Sequence, residues 1–111
     1  IRLEVAREFS EKHHVILVLK GNQTVIAFPD GEIFINPTGN SGLAKGGSGD
    51  VLTGMIVSML TTHKRIKDAV INAVYIHGLC AEKWAENHSE ASMVAGDFNN
   101  VLPVVLKELD D

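Results

Sequence analysis

The stretch from Asn36 to Gly54 constrains this chain more than any other: Asn-Pro-Thr-Gly-Asn-Ser-Gly-Leu-Ala-Lys-Gly-Gly-Ser-Gly-Asp-Val-Leu-Thr-Gly. Five of the chain's ten glycines fall between Gly39 and Gly49. At Asp50 the run passes into an apolar series, Val51, Leu52, Met55, Ile56, Met59 and Leu60. That series predicts a helix from Asp50 to about Thr61, apolar nearly all round and so expected to be central and buried. A glycine-rich loop that opens a helix is a ready anion site. The first turn carries unpaired backbone N–H groups and the positive end of the helix dipole. Glycine lets the backbone approach a phosphate with no Cβ in the way. Asp50 stands at the mouth of this loop. A carboxylate beside a phosphate suits proton abstraction from a hydroxyl that attacks phosphorus.

The flanking pattern is α/β. Leu3, Val5, Ala6 and Phe9 among charged neighbours predict an amphipathic helix over residues 2–12, with His13 and His14 at its solvated end. Val15 to Leu19 is a short continuous apolar run, expected to be a strand buried on both faces as in a parallel sheet. Thr24 to Phe28 and Ile33 to Ile35 read as two further strands, joined by the turn residues Pro29-Asp30-Gly31-Glu32 into an antiparallel edge hairpin. Ile66, Ala69, Val70, Ala73, Val74, His77, Ala81 and Trp84 recur at three and four, predicting a helix from Ile66 to about Glu86. His77 on its apolar stripe reads as packing, Cys80 as a buried thiol, Trp84 as core or interface, and Gly54 as a point of close helix packing. Asn87 to Ala95 reads as a loop. Asp97 reads as the N-cap of a last helix interrupted or started near Pro103, and capping also explains Asn99 and Asn100 more simply than metal ligation.

Composition excludes several classes. A net charge of −4, with no basic cluster beyond Lys64, Arg65 and Lys67, argues against nucleic acid as a partner. No apolar run approaches transmembrane length, so no membrane role is expected. A single cysteine rules out an internal disulfide framework and fits a reducing cytoplasm.

Two familiar phosphate loops do not fit the glycine run. A Walker A loop counted from Gly39 would meet Ala44-Lys45-Gly46 at its decisive positions, and a dinucleotide fingerprint from Gly47 and Gly49 would meet Leu52. What remains is Gly46-Gly47-Ser48-Gly49-Asp50, preceded by Gly39-Asn40-Ser41-Gly42-Leu43-Ala44 and followed by Val51-Leu52-Thr53-Gly54. This run resembles the anion-hole loop of the ribokinase-like superfamily, and within it the ADP- or ATP-dependent NAD(P)H-hydrate dehydratases. The resemblance implies an α/β, three-layer ribokinase-like fold. Residues 1–111 would be the C-terminal portion of a single catalytic domain: a parallel strand, an edge hairpin and about four helices. The N-terminal portion would lie outside this chain, supplied separately or replaced by self-association into a homo-oligomer.

Lys20-Gly21-Asn22-Gln23-Thr24 follows the first strand. By composition it fits a polar turn as well as a phosphate contact at a strand's C-terminal end. Dehydratases carry Lys-Gly-x-x-Thr here, so the resemblance implies nucleotide contacts at Lys20, Gly21, Asn22, Gln23, Thr24 and Gly49. It likewise implies an anion hole at Gly46, Gly47, Ser48 and Gly49, with Asp50 as catalytic base and substrate contact. The implied reaction repairs hydrated NADH or NADPH: ADP or ATP phosphorylates the ring hydroxyl, and phosphate is then eliminated. Magnesium is expected with the phosphates, although no set of protein ligands for it is visible. The chain departs from the common family pattern at three places. Ser48 replaces threonine and keeps the hydroxyl, Leu43 replaces methionine, and Lys45 adds a cation that either binds phosphate or faces solvent. Two other functions fit the same loop: a small-molecule kinase of the superfamily, acting on a sugar or vitamin precursor, and a nucleotide-binding fragment without turnover.

Overall fold

A computed structural model describes residues 2–21, 23–40, 43 and 48–110, without the side chains of Ser48 and Asp50. The chain forms two compact units, Ile1–Pro37 and Thr38–Asp111.

The first unit is a helix on a sheet: α1 (Arg2–His13), β1 (Leu17–Leu19), β2 (Val25–Ala27) and β3 (Ile33–Ile35). The sheet order is β1-β2-β3, and both described pairings are antiparallel, with Val18 opposite Ile26 and Ile26 opposite Phe34. The strand buried on both faces is therefore β2, not the run at 15–19. Val25, Ile26 and Ala27 are buried, as is Phe28, whereas Leu17 to Leu19 are half-buried. Among the described residues β2 has a neighbour on each side and β1 has one, and an apolar run alone does not reveal that difference.

The packing face of α1 also differs from the amphipathic expectation. Leu3, Val5 and Phe9 are exposed, and the buried positions are the small residues Ala6 and Ser10. Ala6 packs with Val25 and Ala27, flanked by Leu17, Leu19 and Ile33. Small residues one turn apart let the helix approach the strand closely, and this outweighs the greater hydrophobicity of its other side. The Ser10 hydroxyl is satisfied by the carbonyls of Val15 and Ala27, the latter at 3.1 Å. The helix ends as expected at the exposed histidines. His14 takes a positive φ of 54°, and the Val15 N–H returns to the Ser10 carbonyl at 3.2 Å, a Schellman closure without glycine. Phe9 and His13 rings lie 4.3 Å apart along this end. The hairpin turn forms at Pro29 to Glu32: Gly31 has φ +93°, and Asp30 Oδ1 accepts from the Glu32 N–H at 3.0 Å.

The second unit is helical: α2 (Ser48–Thr62), α3 (Ile66–Ala85) and α4 (Phe98–Asp110). Its central helix is α3 rather than α2. Ala69, Val70, Ala73, Val74, Ile76, His77, Gly78, Cys80 and Ala81 are buried, while Val57 and Leu60 of α2 are exposed. So many alanines, a glycine and a cysteine on one helix let neighbours pack on more than one side. The core joins Met55 of α2, Ala73, Ile76, Cys80 and Ala81 of α3, and Phe98, Val101 and Val105 of α4. Met93 belongs to it as well, an apolar plug from the segment expected to be loop. Burying a Phe or Met side chain of this kind contributes about 1.5–3 kcal/mol. His77 is buried with its ring stacked on Phe98 at 4.8 Å, as packing requires. Trp84 donates to Ser92 Oγ at 3.1 Å and stacks on His88.

Three smaller expectations are corrected. A Cβ at Gly54 would meet nothing within 4 Å among the described residues, so no close packing explains it. Asp97 does not cap α4; its carboxylate accepts the Val94 N–H at 2.8 Å and closes a short 3₁₀ turn, Ala95–Asp97, ahead of that helix. α4 runs through Pro103 without interruption.

Burial pushes the Cys80 thiol up from its ordinary 9.0 to about 11. The native state thus favours the protonated thiol more than the unfolded chain does. Its stabilising effect is complete below pH 9 and is lost as pH rises from 9 towards 11. Urea denaturation across that window should show the loss in the wild type, and Cys80→Ala should flatten the part due to this group.

Candidate functional site

The glycine run opens a helix, as its sequence requires. Ser48, Gly49 and Asp50 form the first turn of α2, and the Thr53 hydroxyl donates to the Gly49 carbonyl at 3.0 Å one turn on. The first N–H groups of this fifteen-residue helix have no partner within the helix, and its dipole is positive here. Gly46 and Gly47 of the expected anion hole, and Lys45, lie outside the described residues, as do the side chains of Ser48 and Asp50.

The other end of the run is tied to α3. Thr38 Oγ1 donates to the Tyr75 carbonyl at 2.9 Å, the Gly39 N–H to Glu82 Oε2 at 2.9 Å, and Asn40 Nδ2 to the Ala81 carbonyl at 2.9 Å. The Leu43 N–H then returns to the Asn40 carbonyl at 3.2 Å, and Leu43 packs against the helical core. The segment climbs α3 along its surface, and both glycines involved are needed for that. Gly39 has φ +112°, which L side chains rarely adopt. A Cβ on Gly78 would lie 2.7 Å from the Thr38 carbonyl carbon. The pair His77-Gly78 thus has a local reason: the histidine fills the core and the glycine makes room for the crossing chain.

The far end of α2 is tied to α3 too. His63 follows α2, and its Nδ1 lies 2.9 Å from the Met59 carbonyl while its Nε2 lies 2.9 Å from Asn72 Nδ2. The amide can only donate, so Nε2 accepts and the proton sits on Nδ1.

In the first unit, Lys20 to Thr24 form the connection from β1 to β2. Lys20, Gly21 and Gln23 are exposed, Thr24 is half-buried, and Asn22 lies outside the described residues. Arg2 braces this turn by donating to the Leu19 carbonyl and the Gln23 carbonyl, each at 2.9 Å. Its guanidinium occupies the space beside Gly21, where a Cβ would lie 2.9 Å from Cζ. Arg2, Glu82 and Asn40 were not singled out by sequence. Arg2 looks like one of several surface charges on an amphipathic helix, and the partners are 17 to 43 residues apart.

Among the described residues, no group of three or more His, Cys, Asp or Glu is placed to hold a metal ion. Lys83 is held by Glu86 and Glu108, and these hydrogen bonds raise its pKa above the ordinary value. It therefore serves as a surface tie between α3 and α4.

The chain has the mixed α/β architecture of part of a ribokinase-like fold. A ribokinase-like superfamily protein from Enterococcus faecalis V583 matches it with a TM-score of 0.80 and 32% identity, covering 92% of this chain and 35% of that one. The sequence profile of the NAD(P)H-hydrate dehydratases matches residues 1–103, and the chain belongs to that family. It is 53% identical over 109 residues to the ADP-dependent (S)-NAD(P)H-hydrate dehydratase of Bacillus subtilis (strain 168), covering 98% of this chain and 40% of that protein. It is 42% identical to the bifunctional NAD(P)H-hydrate repair enzyme Nnr of Moorella thermoacetica, covering 99% of this chain and 21% of that protein. The crystal structure of the ADP/ATP-dependent NAD(P)H-hydrate dehydratase from Bacillus subtilis, co-crystallised with ATP/Mg2+, matches with a TM-score of 0.94 and 54% identity, covering 96% of this chain and 39% of that one. The chain thus spans two fifths or less of the length of these relatives.

Gly78→Ala separates two opposing effects. Helix propensity alone favours alanine over glycine by about 1 kcal/mol. The new methyl would meet backbone that cannot swing aside, an overpacking cost of about 1–3 kcal/mol. The clash should win, and the urea midpoint of the variant should fall.

Proposed function

We propose that this chain carries the phosphoryl-transfer half of an NAD(P)H-hydrate dehydratase site. The observation that carries this reading is the placement of Gly49 and Asp50 in the first turn of α2, directly after the glycine run. Family membership and the identity to named dehydratases support it.

In this mechanism the backbone N–H groups of Gly46, Gly47, Ser48 and Gly49 receive the migrating phosphoryl group, and the dipole of α2 adds to their field. Asp50 takes the proton from the hydroxyl of the hydrated nicotinamide ring as that oxygen attacks the terminal phosphorus of ADP or ATP. The bond from phosphorus to the leaving nucleotide oxygen breaks. Phosphorylation turns a poor leaving group into a good one. Loss of phosphate from the ring, with a ring proton, restores the dihydronicotinamide. Donors fixed in advance matter most here, because removing one typically costs on the order of 10²–10³ in rate. Lys20, Gly21, Asn22, Gln23 and Thr24, on a turn braced by Arg2, are nucleotide contacts in this reading, as is Gly49. Magnesium would come with the nucleotide's phosphates and would offset their charge, a reading supported by the Bacillus subtilis enzyme co-crystallised with ATP/Mg2+.

The chain is the C-terminal portion of a larger catalytic domain, a reading supported by the share of its relatives that it spans. Exposed Leu3, Val5 and Phe9 of α1 form a surface that the remainder of such a domain would cover, or a second copy in its absence. No helix of the described residues is long and apolar enough to cross a membrane. We place the protein in the cytoplasm, a reading supported by its single cysteine.

The complete protein, given hydrated NADH and ADP with magnesium, should restore absorbance of the reduced nicotinamide. Phosphorylated product without that absorbance would point to a small-molecule kinase instead. Asp50→Asn should lower kcat by about 10²–10⁴, the usual range for removing a general base. Turnover unchanged in that variant would remove Asp50 from the chemistry.

A further inference from the structure

We infer that Glu82 and Asn40 are positioning residues for the phosphate-binding turn, holding the entry of the glycine run on α3 so that the first turn of α2 receives it in register. The inference rests on the phosphoryl-transfer reading above.

Neither side chain suits a phosphate ligand. Glu82 carries a negative charge and is exposed, and its carboxylate accepts the Gly39 N–H at 2.9 Å. Asn40 spends an amide proton on the Ala81 carbonyl at 2.9 Å. What they hold is backbone. Thr38 takes the Tyr75 carbonyl, and nearly two turns further along α3 Gly39 and Asn40 take the Glu82 carboxylate and the Ala81 carbonyl. Gly39 presents its N–H to Glu82 while holding a φ of +112°. The Gly39 bond is charge-assisted, so it is stronger than a neutral pair of the same length.

Only seven residues, 41–47, separate Asn40 from Ser48. The far end is fixed to the same helix: α2 packs on α3 through Met55 and, past its end, through His63 and Asn72. Both ends of the run are therefore referred to α3, and loss of the tie at Gly39 would free that end to be displaced. Catalysis by preorganised donors is sensitive to such a displacement, since a misplacement of about 1 Å can cost 10²-fold in rate. Global stability is less so, because Glu82 and Gly39 are both at the surface.

The test compares Glu82→Ala, Glu82→Gln and Asn40→Ala in the complete protein, with hydrated NADH and ADP as substrates. Glu82→Ala should lower kcat about ten-fold or more, with KM and thermal midpoint little changed. Glu82→Gln retains an acceptor oxygen and should recover most of the lost rate. Asn40→Ala should behave like Glu82→Ala. Hydrogen exchange over residues 38–50, in protein without substrates, should speed up in Glu82→Ala and Asn40→Ala but not in Glu82→Gln. Unchanged kcat and exchange in Glu82→Ala would overturn the inference, and so would a Glu82→Gln variant as impaired as the alanine one. If the wild type fails to restore reduced nicotinamide while exchange still responds as stated, the dehydratase reading falls and the positioning role of Glu82 and Asn40 stands.

Discussion

Close approach to α3 is the constraint on which the second unit depends. The helix is faced with Ala69, Ala73, Gly78, Cys80 and Ala81, and larger residues at these places would hold its neighbours away. α2 and α4 share a core across it, and Thr38 crosses directly over Gly78. A helix of small residues contributes little apolar area of its own. It gains stability through the Met55, Met93, Phe98, Val101 and Val105 side chains that it lets in. The same choice of small residues that builds the core also lets backbone lie against backbone at the entry to the glycine run.

That coupling links stability to chemistry. A glycine-rich loop has many conformations open to it, and a catalytic anion hole needs one. Thr38, Asn40 and Glu82 hold the entry, and the α2 turn at Ser48 to Asp50 defines the exit. In the first unit Arg2 does comparable work, clasping the carbonyls on either side of the β1–β2 connection. In both units a polar side chain from a regular helix fixes the backbone of a neighbouring loop, where regular pairing cannot.

Features with a short-range cause were legible in the sequence. The 3.6-residue period of Ile66 to Trp84 marked α3 to within a residue, the glycine run announced the start of α2, and Pro29-Asp30-Gly31 announced the hairpin. Features decided by a distant partner were not. Nothing in Leu3, Val5 and Phe9 shows that α1 will instead bury Ala6 and Ser10, because that choice depends on how near β2 must come. Val15 to Leu19 is a longer apolar run than Val25 to Phe28, yet sheet order puts β2 in the middle. Glu82 and Gly78 carry no local signal of the contacts they make. Their roles appear only when Thr38 and Gly39 are laid across α3.

The central physical claim is that phosphate is held by the backbone at the start of α2, with the Asp50 carboxylate beside the oxygen that attacks it. The most direct measurement is a crystal structure of the complete protein with ADP, magnesium and a non-reacting dihydronicotinamide nucleotide. The terminal phosphate should lie about 3 Å from the N–H groups leading into that helix, with Asp50 within hydrogen-bond reach of the ring position that bears the hydroxyl. A nucleotide bound elsewhere, or an Asp50 carboxylate turned away from the ring, would contradict it.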